Sequence, residues 1–183
     1  TAPVYVASLT GVVDNVMAGY VEETVNRAVE EASPALIVTI NTPGGSLDAT
    51  QRIVSALLEA PVPTIVYVSP SGARAASAGT FITLASNLAY MAPGTNIGAA
   101  SPVGSGGEDI TGTIGAKVRN DAIANIKSIA ETRGRNVDWA VSTVDKAVSS
   151  SALEAVAITR PARSEASRPR TTELGRVPGT DYF

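Results

Sequence analysis

The chain has 183 residues, of which 44% are apolar, 17% charged and 4% aromatic, and its formal net charge is −3. This balance is typical of a globular domain with an aliphatic core, and it excludes a chain that is disordered throughout. The net negative charge excludes a basic footprint for nucleic acid. No apolar run approaches the ~20 residues that a membrane-spanning helix requires, so none is expected within these residues. Because the sequence contains no Cys and no His, it also excludes disulfides, thiolate nucleophiles, Ser-His-Asp triads and the commonest transition-metal sites.

Short apolar runs alternate with helix-period segments over the first third of the chain. Strands are predicted at Val4–Leu9, Ala35–Asn41 and Thr64–Ser69, and helices at about Val16–Ala32 and from the glycine pair after the second strand to about Ala60. The second strand is continuously apolar, which is typical of a strand buried on both faces of a parallel sheet. This β-α-β-α-β order predicts an α/β fold with a parallel sheet.

The following part of the chain is richer in small residues. In chain order the sequence predicts a loop at Ser69–Ala75, a small-residue helix at about Ser77–Ser86, short strands at Leu88–Met91 and Asn96–Ala99, a glycine-rich stretch at Gly104–Gly112, and helices at about Thr113–Arg133 and Val137–Lys146. Residues 160–183 differ from the rest of the chain in composition, because they contain five Arg and three Pro and show almost no apolar pattern. They predict a tail that is disordered or foreign to the native fold, which leaves residues 1–159 as the domain.

Two glycine-bearing turns follow predicted parallel strands, at the edge where open α/β sheets place their sites. The Gly44-Gly45 pair lets the backbone approach a ligand and frees N–H groups, but a strand–helix turn that needs positive φ also explains it. In the second turn, Ser77 stands at the predicted start of a helix, between residues too small to cover it. Ser77 is either a simple N-cap or a nucleophile whose oxyanion would be stabilised by the helix N-terminus and the glycine turn.

With His absent, lysine is the next choice of base for a serine nucleophile. Lysine can serve where burial or the positive end of a helix favours its neutral form. Lys117 falls in the first turns of the long helix, directly after the glycine-rich stretch, where both effects can operate. Lys127 lies opposite the apolar stripe that runs from Ile114 to Ile129 and is predicted to face solvent, while Lys146 suits a helix C-terminus.

Four segments of the chain resemble a known family. They are Asn41–Gly45, Gly72–Gly79, Met91–Ala99 and the helix at Lys117–Ala130. Over the stretch from Ile40 to about Asp145, the sequence resembles the N-terminal domain of the NfeD-type membrane-bound serine proteases, which are ClpP-class proteins. The second and third segments are long and specific, whereas the first is shared with the wider ClpP/crotonase superfamily.

The resemblance implies a ClpP/crotonase-like α/β fold, with a mostly parallel sheet flanked by helices, and a Ser-Lys dyad. In the pattern of that family, Ser77 occupies the position of the nucleophile and Lys117 that of the general base. Gly44, Gly45 and Ala78 fall where the family takes the N–H groups of its oxyanion hole. Such a dyad needs neither a metal nor an organic cofactor, so none is expected.

Partners and location are also implied by the resemblance. The expected function is that of a serine endopeptidase that cleaves hydrophobic peptide segments, including those of a stomatin-like protein, and the domain is expected to form homodimers. Membrane association would come through segments outside this chain, with the domain on the extracytoplasmic side, either periplasmic or extracellular. No nucleic-acid partner is expected.

Two other functions stay open. One is a catalytically silent module that binds or scaffolds a stomatin-like partner, in which Ser77→Ala would leave affinity nearly unchanged. The other is an acyl-CoA hydratase or isomerase of the crotonase type, which would use the glycine N–H groups on a thioester and a Glu pair as acid and base. No Glu lies near either glycine turn, which counts against the second alternative.

Overall fold

The fold is taken from a computed structural model, which describes residues 2–159 and 181–182. Its elements, in chain order, are β1 Tyr5–Thr10, α1 Asn15–Glu30, β2 Leu36–Asn41, α2 Leu47–Glu59, β3 Thr64–Val68, β4 Arg74–Ala76, α3 Ala78–Ala85, β5 Leu88–Met91, β6 Asn96–Gly98, α4 Gly112–Arg133, α5 Val137–Asp145, β7 Ser149–Ser151, α6 Ala152–Thr159 and β8 Asp181–Tyr182. Every strand and helix predicted between residues 4 and 146 is confirmed, with ends that differ by no more than two residues.

The main sheet has the strand order β1-β2-β3-β5-β8, and its first four strands are parallel. Strand β8 adds to the edge of β5 in the antiparallel direction. Parallel strands joined by helices give the predicted α/β class, so a mostly parallel sheet flanked by helices is confirmed. The carboxyl ends of β2 and β3 therefore lie at the same edge, where both glycine-bearing turns begin.

Only one face of the main sheet is fully buried, which corrects the expectation for the second strand. Along β2, Leu36, Val38 and Ile40 are buried, whereas the residues between them are half-buried. The buried set joins helix residues such as Ile53 and Ile82 in one hydrophobic cluster. A continuous apolar run therefore still places its side chains on two faces of different burial, because side chains alternate along a strand.

A second, smaller sheet carries the turn that ends at Ser77. Its order is β4-β6-β7, with β4 parallel and β7 antiparallel to β6. Strand β4 includes the last two residues of the predicted loop at Ser69–Ala75, and the sequence predicted neither β7 nor α6. Strand β7 consists of three serines, so its extended form comes from pairing with β6 rather than from any local preference.

Helix α4 is packed at one end and exposed at the other. Ile126 and Ile129 are buried, as the apolar stripe predicts, but Ile114 is 70% exposed. Within residues 112–121, only Gly115 is buried. The prediction that the apolar stripe is buried is therefore wrong for the first turns of α4. Those turns are exposed to solvent.

Arg133, at the end of α4, connects this helix to two others. Its guanidinium donates to the carbonyl of Ala85 at the end of α3, 2.8 Å away, and to that of Leu57 in the last turn of α2, 3.0 Å away. Carbonyls at helix ends have no partner within their own helix, and a cation there is favoured by the helix dipole. Burial lowers the pKa of Arg133, so the two carbonyls also compensate for its lost hydration.

We expect Arg133→Ala to lower the free energy of unfolding by about 2 kcal/mol, because hydrogen bonds from a charged donor contribute about 1.5–3 kcal/mol. Urea denaturation followed by circular dichroism measures this change. The control is Arg119→Ala, at an exposed position of the same helix, which should alter stability by less than about 0.5 kcal/mol. Equal stability of the two variants would mean that the contacts of Arg133 with α2 and α3 contribute nothing.

The predicted tail at residues 160–183 lies outside the described residues, apart from the two that form β8. The division of the chain at residue 159 therefore stays a prediction. In the part of the chain that the structure describes, no helix combines the length and the apolar character that crossing a bilayer requires.

Candidate active site

Ser77 stands between β4 and α3 in a backbone conformation that few residues adopt. Its φ is 52° and its ψ is −114°. A non-glycine residue in such a region stores about 1–3 kcal/mol of strain and persists only where its surroundings hold it. The Ser77 side chain makes no capping hydrogen bond to α3. The interpretation of Ser77 as a simple side-chain cap is therefore wrong, and its hydroxyl is left for another role.

Backbone hydrogen bonds hold Ser77 from both sides. Its amide donates to the carbonyl of Gly98 on β6, 3.0 Å away, and its carbonyl accepts from the amide of Thr80, 2.9 Å away. The amide of the preceding residue, Ala76, donates to the carbonyl of Thr42, which directly follows β2. The turn is thus attached to both sheets at once.

The glycine turn after β2 lies directly against Ser77. Gly44 has a φ of +124°, and a Cβ built on it would stand 2.7 Å from the Cβ of Ser77 and 3.1 Å from its Oγ. A Cβ on Gly45 would overlap the carbonyl oxygen of Val13. Gly44 therefore requires glycine for its positive φ and for close approach, whereas Gly45, whose φ is not positive, requires it for close approach alone. The pair brings two backbone segments together beside the serine.

We expect Gly44→Ala to destabilise the domain more than a glycine replacement that is strained in φ alone. Gly72 has a φ of +85° and open space where a Cβ would lie, so Gly72→Ala should cost about 1–2 kcal/mol. Gly44→Ala adds the overlap with Ser77 and should cost at least about 1 kcal/mol more. Thermal unfolding of both variants beside the wild type checks this. Equal midpoints would show that Gly44 and Ser77 are not in tight contact.

Ser77 opens into a cavity of about 660 Å³ between α2, α3 and α4, and Lys117 stands at the wall of the same cavity. Much of the remaining wall is apolar, and includes Leu47, Phe81, Ala100, Pro102, Val118 and Ala122. The side-chain amide of Asn125 on α4 donates to Gln51 on α2, 2.7 Å away, which joins two of the walls. The cavity therefore combines a serine, a lysine and a surface suited to apolar groups.

Of the three lysines, only Lys117 lies at the cavity of Ser77. Lys127 pairs with Glu131 on an exposed face of α4, 3.9 Å apart, and Lys146 is the C-terminal cap residue of α5, as their spacing predicted. Lys117 is itself exposed, so the burial that the sequence suggested for it is not found. Ser77 and Lys117, which are both described, form no hydrogen bond with each other. Catalytic hydrogen bonds often form only when substrate is bound.

Two of the three amides expected to form an oxyanion hole line this cavity. Ala78 is the first residue of α3, so its amide has no partner within the helix. The amide of Gly45 donates to none of the residues that the structure describes. The amide of Gly44 instead donates to the hydroxyl of Thr42, 3.1 Å away. Gly45 and Ala78 are therefore the candidate donors, while Gly44 permits the close approach to Ser77.

A second cavity, of about 780 Å³, lies between α1 and α2 and contains neither Ser77 nor Lys117. Arg52 pairs with Glu22 there, 2.7 Å apart, and this hydrogen bond lowers the pKa of the Glu22 carboxyl. Across residues 2–159, no group of three or more acidic side chains is arranged to hold a metal ion. The serine and the lysine that the sequence singled out therefore both lie at the cavity of Ser77 and not at this one.

The sequence indicated the serine, the lysine and the glycine turns, but it did not indicate the cavity wall. Phe81 stands one helical turn after Ser77, a spacing that could have placed it on the same side of α3. Ala100 and Pro102 follow β6, whose carboxyl end lies beside that of β4. Their position depends on the second sheet, which the sequence did not predict.

The chain has relatives among known protein families and proteins. Residues 3–159 match the family described as NfeD1b, N-terminal domain. Membrane-bound protease PH1510 of Pyrococcus horikoshii is 39% identical over 156 residues, which are 84% of this chain and 35% of that protein. Membrane protein NfeD1b of Bacillus subtilis is 28% identical over 142 residues, which are 78% of this chain and 31% of that protein. The chain thus spans about a third of the length of each relative.

Solved structures share the fold. A lysine-to-alanine mutant of the 1510-N membrane-bound stomatin-specific protease, in complex with a substrate peptide, matches with a TM-score of 0.79 and 37% identity over 85% of this chain and 72% of that one. A serine-to-alanine mutant of the same protease matches equally well, over 76% of its chain. ClpP1 from Listeria monocytogenes matches with a TM-score of 0.65 and 22% identity, over 84% of this chain and 86% of that one. A ClpP-like fold is therefore confirmed.

Proposed function

The chain belongs to the family of NfeD1b N-terminal domains, and from that premise we propose that it is a serine endopeptidase in which Ser77 and Lys117 form a catalytic dyad. The observation that carries this proposal is a strained serine, free of capping contacts, that shares one cavity with a single lysine. Backbone strain of this kind concentrates at active sites, which favours a functional role for Ser77. One relative, the 1510-N protease, has been solved both as a serine-to-alanine and as a lysine-to-alanine mutant, which supports the same pair of residue types.

The proposed reaction has two steps. In the first, Ser77 Oγ bonds to the carbonyl carbon of the scissile peptide while its proton passes to the neutral amine of Lys117. The amides of Gly45 and Ala78 bind the resulting oxyanion at the positive end of α3. The C–N bond then breaks, the leaving amine takes the proton from Lys117, and an ester remains on Ser77.

The second step returns the enzyme to its starting state. A water molecule bonds to the ester carbon and gives a proton to Lys117, and the oxyanion again forms at the two amides. The bond to Ser77 Oγ then breaks, Ser77 recovers the proton from Lys117, and the carboxylic acid product leaves. Lys117 therefore acts as base and acid in turn. Its amine has to reach Ser77 Oγ, the leaving nitrogen and the attacking water.

The apolar wall of the cavity supports hydrophobic peptide segments as the substrate class. Phe81, Pro102 and Val118 offer surface to aliphatic or aromatic side chains close to Ser77. One relative is a protease specific for a stomatin homolog from Pyrococcus horikoshii. We extend that specificity to this chain and propose an apolar segment of a stomatin-like protein as its natural substrate.

Assembly and location follow from the same family membership. Both relatives are described as membrane proteins, so we propose that segments outside these residues anchor the full-length protein in a membrane. We propose further that the domain lies on the extracytoplasmic side and forms homodimers. Chemical cross-linking of the purified chain tests the dimer.

A silent binding module is the second candidate, and one observation favours it. Lys117 is exposed and makes no hydrogen bond to Ser77, although both residues are described. A cavity of this kind could hold an apolar peptide without cleaving it. The crotonase-type alternative is disfavoured, because the acidic residues at the cavity are Asp48 and Asp121 and none is a Glu.

Direct incubation with peptides tests the proposal. The purified chain is mixed with a set of apolar peptides, including one from an apolar segment of a stomatin-like protein, and with polar peptides of equal length. Fragments are followed by mass spectrometry. Cleavage confined to the apolar set supports the proposed function, whereas binding of intact apolar peptides supports the silent module. Cleavage of both sets would contradict the proposed substrate class.

A further inference from the structure

The buried hydroxyl of Thr80 lies beneath the serine turn and makes contacts that its helix does not require. Thr80 is the third residue of α3 and is 0% exposed. We infer that this hydroxyl is a positioning group that holds Ser77 in its reactive conformation. The inference rests on the proposed function, since it assigns Thr80 a part in the same reaction without contact with the substrate.

Three hydrogen bonds form a closed ring around the nucleophile. The amide of Ser77 donates to the carbonyl of Gly98, 3.0 Å away, and the amide of Gly98 donates to Thr80 Oγ1, 3.1 Å away. The amide of Thr80 then donates to the carbonyl of Ser77, 2.9 Å away. The Thr80 hydroxyl is the one side-chain member of this ring.

The hydroxyl also contacts two carbonyls, those of Ala75 on β4 and Gly98 on β6, each 3.0 Å away. Because a hydroxyl has one hydrogen and two lone pairs, it can donate to one of these carbonyls while it accepts from Gly98. It therefore ties the first turn of α3 to both strands that flank the serine. Threonines within helices usually donate to the carbonyl four residues earlier, a contact that fixes nothing outside the helix.

Thr83 shows the usual arrangement in the same helix. It is also 0% exposed, and its hydroxyl donates to the carbonyl of Gly79, four residues earlier and 2.7 Å away. Thr80 and Thr83 thus have the same residue type, burial and helix, and they differ in whether the hydroxyl reaches the strands. This difference makes Thr83 a matched control.

The strain at Ser77 explains why such a tether would matter. A φ of 52° in a serine relaxes unless neighbouring groups hold it. If the hydroxyl were lost, the amide of Gly98 would lose its buried partner. Strand β6, whose Gly98 carbonyl accepts the hydrogen bond from the Ser77 amide, would then be free to shift. A displacement of about 1 Å at a nucleophile lowers the rate by about 100-fold. The cavity wall would stay in place, so substrate affinity should change little.

The experiment compares Thr80→Val with Thr83→Val and the wild type. It measures kcat and KM on an apolar fluorogenic peptide, and the rate at which a fluorophosphonate probe labels Ser77. We expect Thr80→Val to lower both kcat and the labelling rate by about 100-fold, with little change in KM. Thr83→Val should retain nearly all activity. Thr80→Ser keeps the hydroxyl and should return kcat to within a few-fold of the wild type.

The inference is overturned if Thr80→Val and Thr83→Val behave alike in kcat and labelling rate. If Thr80→Val does not fold, Thr80→Ser is compared with Thr80→Ala, and equal rates for that pair overturn the inference as well. If the wild type neither cleaves the peptide nor reacts with the probe, the proposed function fails and the role of Thr80 falls with it. An active wild type with an equally active Thr80→Val variant removes only the role of Thr80.

Discussion

Ser77→Ala is expected to slow peptide cleavage by at least about 1,000-fold while it leaves the fold and the affinity for peptide nearly unchanged. The substitution removes the atom that bonds to the substrate and leaves the two candidate oxyanion donors in place. Since the Ser77 hydroxyl makes no capping hydrogen bond to α3, its loss should cost the helix nothing. Turnover of a fluorogenic apolar peptide measures the rate, and fluorescence anisotropy of a labelled peptide measures the affinity.

The matched control for this prediction is Ser128→Ala, at an exposed position of α4, which should retain full activity. Retained turnover in Ser77→Ala would contradict the assignment of the nucleophile. A wild type that binds peptide as tightly as Ser77→Ala and cleaves none would favour the silent binding module.

Lys117→Ala is expected to lower kcat by about 100- to 10,000-fold, the range that a general base contributes. Lys117 is the lysine at the cavity of Ser77, so no other described lysine can take the proton in its place. Lys127→Ala is the control, because Lys127 lies on the same helix, is also exposed, and pairs with Glu131 away from the cavity. It should retain most of the activity. Equal losses in the two variants would mean that the base is assigned wrongly.

A further variant separates a base from a simple positive charge at position 117. Lys117→Arg should be as inactive as Lys117→Ala, because an arginine stays protonated and cannot accept a proton. An active Lys117→Arg variant would favour electrostatic binding of substrate instead.

The fold could be predicted where local pattern and tertiary structure agree. Strands β1, β2 and β3 are short apolar runs separated by amphipathic helices, and this alternation leaves a parallel sheet as the consistent arrangement. Strands β4 and β7 could not be predicted, because an Arg-Ala-Ala segment and three serines have no local preference for a strand, and both form by pairing with β6. The exposure of Ile114 was missed for a related reason: an apolar stripe gives the direction of a helix face but not where its packing partner ends.

The candidate site divides in the same way. Ser77, Lys117 and the glycine pair could be singled out as candidates, because the absence of His and the position of each residue in its element restrict the chemistry. Their roles in a dyad and an oxyanion hole come from the resemblance to the family and stay a proposal. The different roles of Gly44 and Gly45 could not, since they depend on which amide the hydroxyl of Thr42 occupies. Thr80 gave no sequence signal at all, because a threonine in the first turn of a helix is ordinary until its strand partners are known.

Strand β6 sets the shortest segment of the chain that can support Ser77. Gly98, which accepts the amide of Ser77, pairs with Ser149 of β7, and a Cβ on Gly98 would overlap the carbonyl of Val148. Every residue proposed to take part in the chemistry lies at or before Lys117, yet the strand that supports the nucleophile is itself supported some 30 residues later. The shortest segment that keeps the proposed site intact therefore extends through β7. A chimaera made from two relatives would have to take the residues up to Lys117 and strand β7 from the same parent.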